Sequence, residues 1–365
     1  MFHNIYKNKT VLITGHTGFK GCWLSIWLDM LGAKVIGISD KPKISHPSHF
    51  VISDISKNIK NYYFDIYNIS KFKKILNKEK PDFIFHLAAQ SLVIESYKSP
   101  ITTLKTNLWG TLNILESLRD YKKKITIIFI TSDKCYKNLE IKRGYNENDS
   151  LGGDDIYSSS KACAEILINS YYQSFLKKNK KINLASVRAG NVIGGGDWSK
   201  NRLLPDILSN YFDNKKFVIR NPNSTRPWQH VLEPLSGYLY LASLLHSNAS
   251  LLNGQSFNFG PNSSKSINVL SIVKIISSLV DKLNYKVIPN TNLHENSLLR
   301  LNSAKSYKLL NWRPVMNIRE TILLTFNWYK NFYLFDNSSI LNYSQNQILH
   351  YCNLAKKKKM KWLND

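Results

Sequence analysis

Cysteine is scarce: Cys22, Cys135, Cys163 and Cys352 are the only four in 365 residues, and no two form a CxxC pair. That excludes a disulfide framework and a zinc ribbon, and it suits a reducing cytoplasm. Long hydrophobic runs are missing too, since nothing approaches the roughly 18 uncharged residues of a membrane helix. The opening MFHNIYKNKTVLITG runs into a strand without a signal-peptide core, so no membrane partner is expected. His, Cys, Asp and Glu nowhere cluster at metal-ligand spacing, and no metal is expected. Acid is also in short supply: 25 Asp and Glu against 50 Lys and Arg leave a net charge of +25. The excess is spread along the chain, however, and the one dense block, KKKKMK at 356–361, reads as a solvated tail. No nucleic-acid partner is expected; a basic nucleic-acid-binding protein remains the alternative from another class.

What is present is a folded chain, 43% apolar and 12% aromatic. Apolar runs (TVLIT, KVIGIS, YYFD, DFIFHLA, ITIIFIT, NLASVR) alternate with stretches long enough for helices. Near-continuous apolar strands separated by helices point to an α/β fold with a doubly wound parallel sheet. After Arg188 the pattern breaks into segments rich in Gly, Pro, Trp and Asn, which marks a smaller, discontinuous α/β lobe. SGYLYLASLLH and SFNFG are expected to return to the sheet. The expected organisation is a dinucleotide-binding domain at 1–190 plus about 226–258, a substrate lobe at about 191–225 plus 259–345, and a basic tail at 346–365.

TGHTGFKG places Gly15, Gly18 and Gly21 directly between the first strand and the first helix. Glycines there let the backbone approach a pyrophosphate, and the helix N-terminus stabilises its charge. Thr17, Phe19 and Lys20 complete that turn. Asp40 closes the second strand 19 residues beyond Gly21, where a carboxylate binds ribose hydroxyls and repels a 2′-phosphate. NAD is therefore favoured over NADP, although Lys41 and Lys43 keep NADP as a minority reading. Asp65 and Ile66, ending the third strand, are candidates to flank the adenine.

YSSSK sets Tyr157 and Lys161 one helical turn apart on one face. A nearby ammonium favours the phenolate, so Tyr157 is expected to act as a base below its free value of about 10. In TSDKCY, just after the strand ITIIFI, Ser132, Asp133 and Lys134 put a hydroxyl, a carboxylate and an ammonium side by side. Ser132 would hydrogen-bond the reacting oxygen, and Lys161 would also hold the nicotinamide ribose.

These motifs resemble the extended short-chain dehydrogenase family, and within it the nucleotide-sugar 4,6-dehydratases. TGHTGFKG, LAAQ, TSDKCY, LGGDDIYSSSKACAE, RAGNVIGGGDW and RNPNSTRPWQHVLEPLSGYL together look like the CDP-glucose 4,6-dehydratase subfamily. The resemblance implies hydride transfer from sugar C4 to NAD, loss of the C6 hydroxyl as water, and hydride return to C6. Asp133 would be the acid of that water loss, provided its pKa is raised. Lys134 stands where the wider family commonly carries glutamate; it would serve as C5 base if neutral, as a counter-charge to the enolate if protonated, or as an ion-pair partner of Asp133. Leu87, Ala88, Ala89 and Thr106 would line the cofactor. Gln90 would border the sugar, with a capping role as the competing reading. Asn191, Arg202, Arg226 and Arg300 would hold the diphosphate or nucleoside. Asn302 replaces an aspartate common in relatives, so a local salt bridge would be missing. His16 and His86 read as structural. The enzyme would be a cytoplasmic homo-oligomer acting on CDP-glucose, with a dehydratase or 4-epimerase of a dTDP, GDP or UDP sugar as the nearest competitor.

Overall fold

The computed structural model describes residues 1–42, 47–200, 202–219, 221–261, 267–281, 283–288, 298–335 and 339–363. Along the chain its strands are β1 (Thr10–Thr14), β2 (Lys34–Ser39), β3 (Lys60–Tyr63), β4 (Phe83–His86), β5 (Ile125–Ile130), β6 (Ile182–Ala189), β7 (Val192–Ile193), β8 (Phe217–Ile219), β9 (Gln229–His230), β10 (Gln255–Phe259) and β11 (Tyr285–Val287). Seven of them form one sheet in the order β10-β6-β5-β4-β1-β2-β3. Every neighbouring pair is parallel, with Val11 opposite both Val35 and Phe83.

Parallel strands need crossover helices, so both faces of the sheet are covered and both faces of a strand must be apolar. β1 shows this directly. Val11 and Ile13 enter one core with Trp23 and Trp27 of the helix Phe19–Met30. Leu12 enters the opposite core with Phe72, Ile114 and Ile168 from the helices Ile69–Glu79, Gly110–Leu118 and Ile156–Tyr171. The strand order reverses between β1 and β4, and the crevice outside their C-terminal ends is where such sheets bind ligands. Beyond β6 lie two further two-stranded parallel sheets, β7–β9 and β8–β11.

Two expectations need correction. SFNFG does return to the sheet as β10, but SGYLYLASLLH lies within a 16-residue helix, Leu232–Ser247, that packs on β5 and β6. The helix is buried nearly all round, so its run of apolar residues has no 3.6-residue stripe to separate it from a buried strand. The basic tail is the other. From Ile340 to Lys357 the chain is a helix packed against Phe19–Met30, burying Ile348, Tyr351, Cys352 and Ala355. Trp362 then stacks on Phe2 at 5.2 Å and meets Trp27 edge-on at 6.0 Å. The lysines face water while the residues between them close the core, an amphipathic pattern hidden by the charge block.

Trp362→Ala should therefore cost about 3–5 kcal/mol of stability. Urea denaturation reads it, and an unchanged midpoint would restore the solvated-tail reading.

Candidate active site

Three strand ends converge on the crevice. β1 turns at Gly15 into the helix Phe19–Met30, β4 continues into Leu87, Ala88 and Ala89, and β5 continues through Thr131 to Ser132. The first turn is very tight. A β-carbon at Gly21 would stand 2.1 Å from the Gly15 carbonyl oxygen, and one at Gly15, whose φ is +76°, would stand 2.7 Å from the Ala88 nitrogen. Gly18 is the N-cap of the helix and supplies no side-chain cap, so the helix's first N–H groups point toward the crevice. Asp40 follows β2 directly, and Thr17 donates to Ser39 Oγ at 3.1 Å beside it. Asp65 lies two residues past the end of β3 and is hydrogen-bonded to Asp40. Ile66, whose carbonyl accepts from Asn113 at 3.3 Å, is buried against Gly110. An uncapped helix N-terminus beyond a tight glycine turn, with a carboxylate at the next strand end, fits a dinucleotide. Lys43, the other half of the NADP reading, lies outside the described residues.

The second cluster is buried. Ser132 donates to Asp133 Oδ1 at 3.0 Å, accepts from the Lys134 amide at 3.2 Å, and is hydrogen-bonded to Tyr157. Tyr157 and Lys161 lie in the first turns of Ile156–Tyr171, which Asp155 caps by accepting from the Ser158 amide at 2.9 Å. Lys161 Nζ sits 6.0 Å from the Tyr157 ring centre. Burial raises the Asp133 carboxyl above the usual range, against the lowering charges of Lys134, Lys20 and Arg226. Its Oδ2 is buried without a hydrogen-bond partner. Burial, reinforced by the charge of Lys20, lowers Lys161 to about 8. Burial and Arg202 lower Lys20 itself to about 8. Tyr157 departs from expectation: burial pushes it up to about 12, with Ser132 and Arg202 only partly offsetting the cost. Helical spacing reports that a cation is near but not how dry the site is.

Of the remaining candidates, Arg202 comes to this cluster, held by Asp197 at 2.8 Å. Arg226 also reaches it and, with Arg300, lines a cavity of about 380 Å³ whose wall includes Trp228, Met316 and Lys358. No described lining residue is acidic. Gly190 lets Pro227 and the cluster approach its backbone closely, since a β-carbon there would stand 2.5 Å from Pro227 Cγ and 3.2 Å from Asp133 Oδ2. Asn191 leads into β7, and its carbonyl accepts from the Gln229 amide at 3.2 Å. Thr106 lies half-buried in the turn Lys105–Trp109. Gln90 is hydrogen-bonded within its own loop and to the next helix: its amide donates to Leu92 O at 3.0 Å and Thr103 Oγ1 at 2.9 Å while its Oε1 accepts from the Leu92 nitrogen. Asn302 caps the following helix by accepting from the Ala304 amide at 2.9 Å. His16 and His86 are buried among polar partners, His16 on Asn61 and His86 between Thr14 and Thr111. Lys358 had no distinguishing signal, standing as it does among identical neighbours in KKKKMK. No ion pair joins Lys134 to Asp133 among the described residues.

Comparison with known proteins agrees with this geometry. The family model for GDP-mannose 4,6 dehydratase matches residues 12–325. A CDP-glucose 4,6-dehydratase of Salmonella typhimurium is 41% identical over 333 residues, covering 90% of this chain and 92% of that protein. Among solved structures, a dTDP-glucose 4,6-dehydratase from Bacillus anthracis in complex with NAD superposes with a TM-score of 0.74 at 21% identity, covering 88% of this chain and 97% of that one. A UDP-glucose 4-epimerase from Thermotoga maritima with UDP-glucose gives 0.75 at 20% identity, covering 88% and 99%. At those identities the two structures speak for the fold.

The Asp40–Asp65 contact makes a separate prediction. Burial and the neighbouring carboxyl raise Asp40 from its ordinary value to about 6. A folded pKa above the unfolded one contributes stability that is full below about pH 4 and lost as pH rises through about 6. Asp40→Asn should therefore gain stability over the parent at pH 7.5, by about 1 kcal/mol after solvent screening, and the gain should vanish at pH 4. Thermal melts at the two pH values read it; an equal difference at both would contradict the assignment.

Proposed function

The chain belongs to the GDP-mannose 4,6-dehydratase family, and from that premise we propose that it converts CDP-D-glucose into CDP-4-dehydro-6-deoxy-D-glucose and water with NAD as cofactor. The observation that carries this reading is the buried Asp133, its pKa raised and its Oδ2 unpartnered, one residue from a serine hydrogen-bonded to Tyr157. The Gly15–Gly21 turn and Asp40 would hold NAD, which would supply a hydride acceptor for sugar C4 and the hydride donor for C6. Tyr157 takes the proton of the C4 hydroxyl, and Ser132 holds the reacting oxygen. The C4 ketone acidifies the hydrogen on C5. Hydroxide is a poor leaving group, so the C6 oxygen must be protonated as it departs, and in this reading Asp133 supplies that proton. Lys134 serves C5, as base or as the enolate's counter-charge. Arg226 and Arg300 suit the diphosphate, because guanidinium forks pair with phosphate oxygens. CDP rather than another nucleotide is favoured by the 41% identity to the Salmonella enzyme.

The same reading makes the protein a cytoplasmic homo-oligomer. Tyr97, Ile101, Trp109 and Ile166 are 72%, 68%, 57% and 53% exposed on neighbouring helices, an apolar surface suited to a second copy. Among the described residues no helix is long and apolar enough to cross a membrane.

Incubating the protein with CDP-, dTDP-, GDP- and UDP-glucose and following the alkali-induced absorbance of a 4-keto product tests the substrate; product from CDP-glucose alone is expected. Asp133→Asn should bind sugar nucleotide normally but lose about 10²–10⁴-fold in turnover. Near-parental turnover would refute the acid. In Lys134→Met, exchange of the C5 hydrogen with solvent deuterium should be lost if the lysine is the base and retained if it only balances charge.

A further inference from the structure

A buried ion pair that touches none of the proposed reacting groups brackets the loop that carries them. Arg188 on β6 donates through Nη2 to Glu165 Oε2 at 2.7 Å, and the two side chains are 3% and 1% exposed. Glu165 is four residues beyond Lys161 on the same helix. It also accepts from Thr131, the residue before Ser132, and from Ser186 Oγ at 2.7 Å. Arg188 Nη1 donates to the Tyr136 hydroxyl at 2.7 Å, and its guanidinium lies 4.9 Å from the centre of that ring. The Tyr136 hydroxyl in turn donates to Asn258 Oδ1 on β10 at 2.8 Å. One end of the Ser132–Cys135 loop is therefore tied to the carboxylate, and the other end to the guanidinium.

Energetics argue that the pair is not there for stability alone. Burial opposes both charges, yet each holds the other ionised: Glu165 stays below the usual carboxylate range and Arg188 above its ordinary value. A well-packed apolar pair of equal volume would generally hold the core as well or better. Hydrophobic contacts are non-directional and tolerate sliding, whereas the carboxylate and the guanidinium fork fix the approach of Thr131, Ser186 and Tyr136. Ser132 and Asp133 come from β5, and Tyr157 and Lys161 from a separate helix, so their mutual distance depends on whatever locks that helix to the strand ends.

We propose that Glu165 and Arg188 are a positioning pair which, through Thr131 and Tyr136, sets the distance between the Ser132–Asp133–Lys134 loop and the Tyr157–Lys161 helix. This rests on the catalytic reading given above. Thr131→Val and Tyr136→Phe each remove one hydroxyl from the bracket and leave the ion pair whole. Each is expected to lower kcat by about 10- to 100-fold, the loss that follows from roughly ångström misplacement. KM for CDP-glucose should stay within about twofold of the parent. The melting temperature should stay within about 4 °C. Thr131→Ser, which keeps the hydroxyl, should restore kcat. Parental kcat in both variants would overturn the proposal, as would a drop in kcat matched by an equal loss of folded protein, or Thr131→Ser remaining as slow as the valine variant. The parent enzyme separates the two levels. If it makes no 4-keto product from CDP-glucose, the functional reading fails; if it does and both variants match it, only the positioning role fails.

Discussion

Desolvation is the constraint on which the site depends. Asp133, Tyr157, Lys20 and Lys161 are drawn from three separate elements and buried at the same sheet edge. Removing water penalises whichever form of each group is charged. It raises the acid and lowers the amines, so the aspartate is driven toward holding a proton and each lysine toward giving one up. One physical cause thus prepares groups of opposite character for proton transfer near neutral pH. A parallel sheet covered on both faces by helices brings these groups together at the C-terminal ends of its strands, where they are shielded from water.

Much of the fold was legible in the sequence because parallel strands buried on both faces have little choice of composition. Five of the six early strands lie where the apolar runs lie, while β3 overlaps YYFD only at Tyr62 and Tyr63 and ends before Asp65 and Ile66; the glycine turn sits between the first strand and helix as its spacing requires. Residues 232–247 were harder, since a wholly buried helix has no polar face to set a period. The C-terminal helix was masked in the opposite way. Its lysines dominate the local charge, while the residues that anchor it, Tyr351 and Trp362, contact partners more than 300 positions earlier, such as Trp27 and Phe2.

Within the site, residue types were legible and their electrostatics were not. A tyrosine one turn from a lysine, and a serine at a strand end, are patterns in one dimension. Whether Tyr157 feels an ammonium or a dry pocket more strongly is settled by packing, and here the pocket prevails. Gln90 shows the same limit: the sequence shows an amide beside a crevice but not its hydrogen bonds to Leu92 and Thr103, which only packing reveals. Glu165 and Arg188 close and open two of the quoted motifs, LGGDDIYSSSKACAE and RAGNVIGGGDW, but nothing in one dimension pairs them, because an ion pair across a helix and a strand leaves no spacing signature.

The clasp between Phe2, Trp27, Tyr351 and Trp362 has a bearing on synthesis in the cell. Until Trp362 has left the ribosome, Phe2 and Trp27 lack their last aromatic partner, so a truncated product would display a sticky aromatic patch. Chaperones and proteases recognise surfaces of that kind. Loss of the closing tryptophan would thereby turn a packed aromatic seam into an exposed apolar patch.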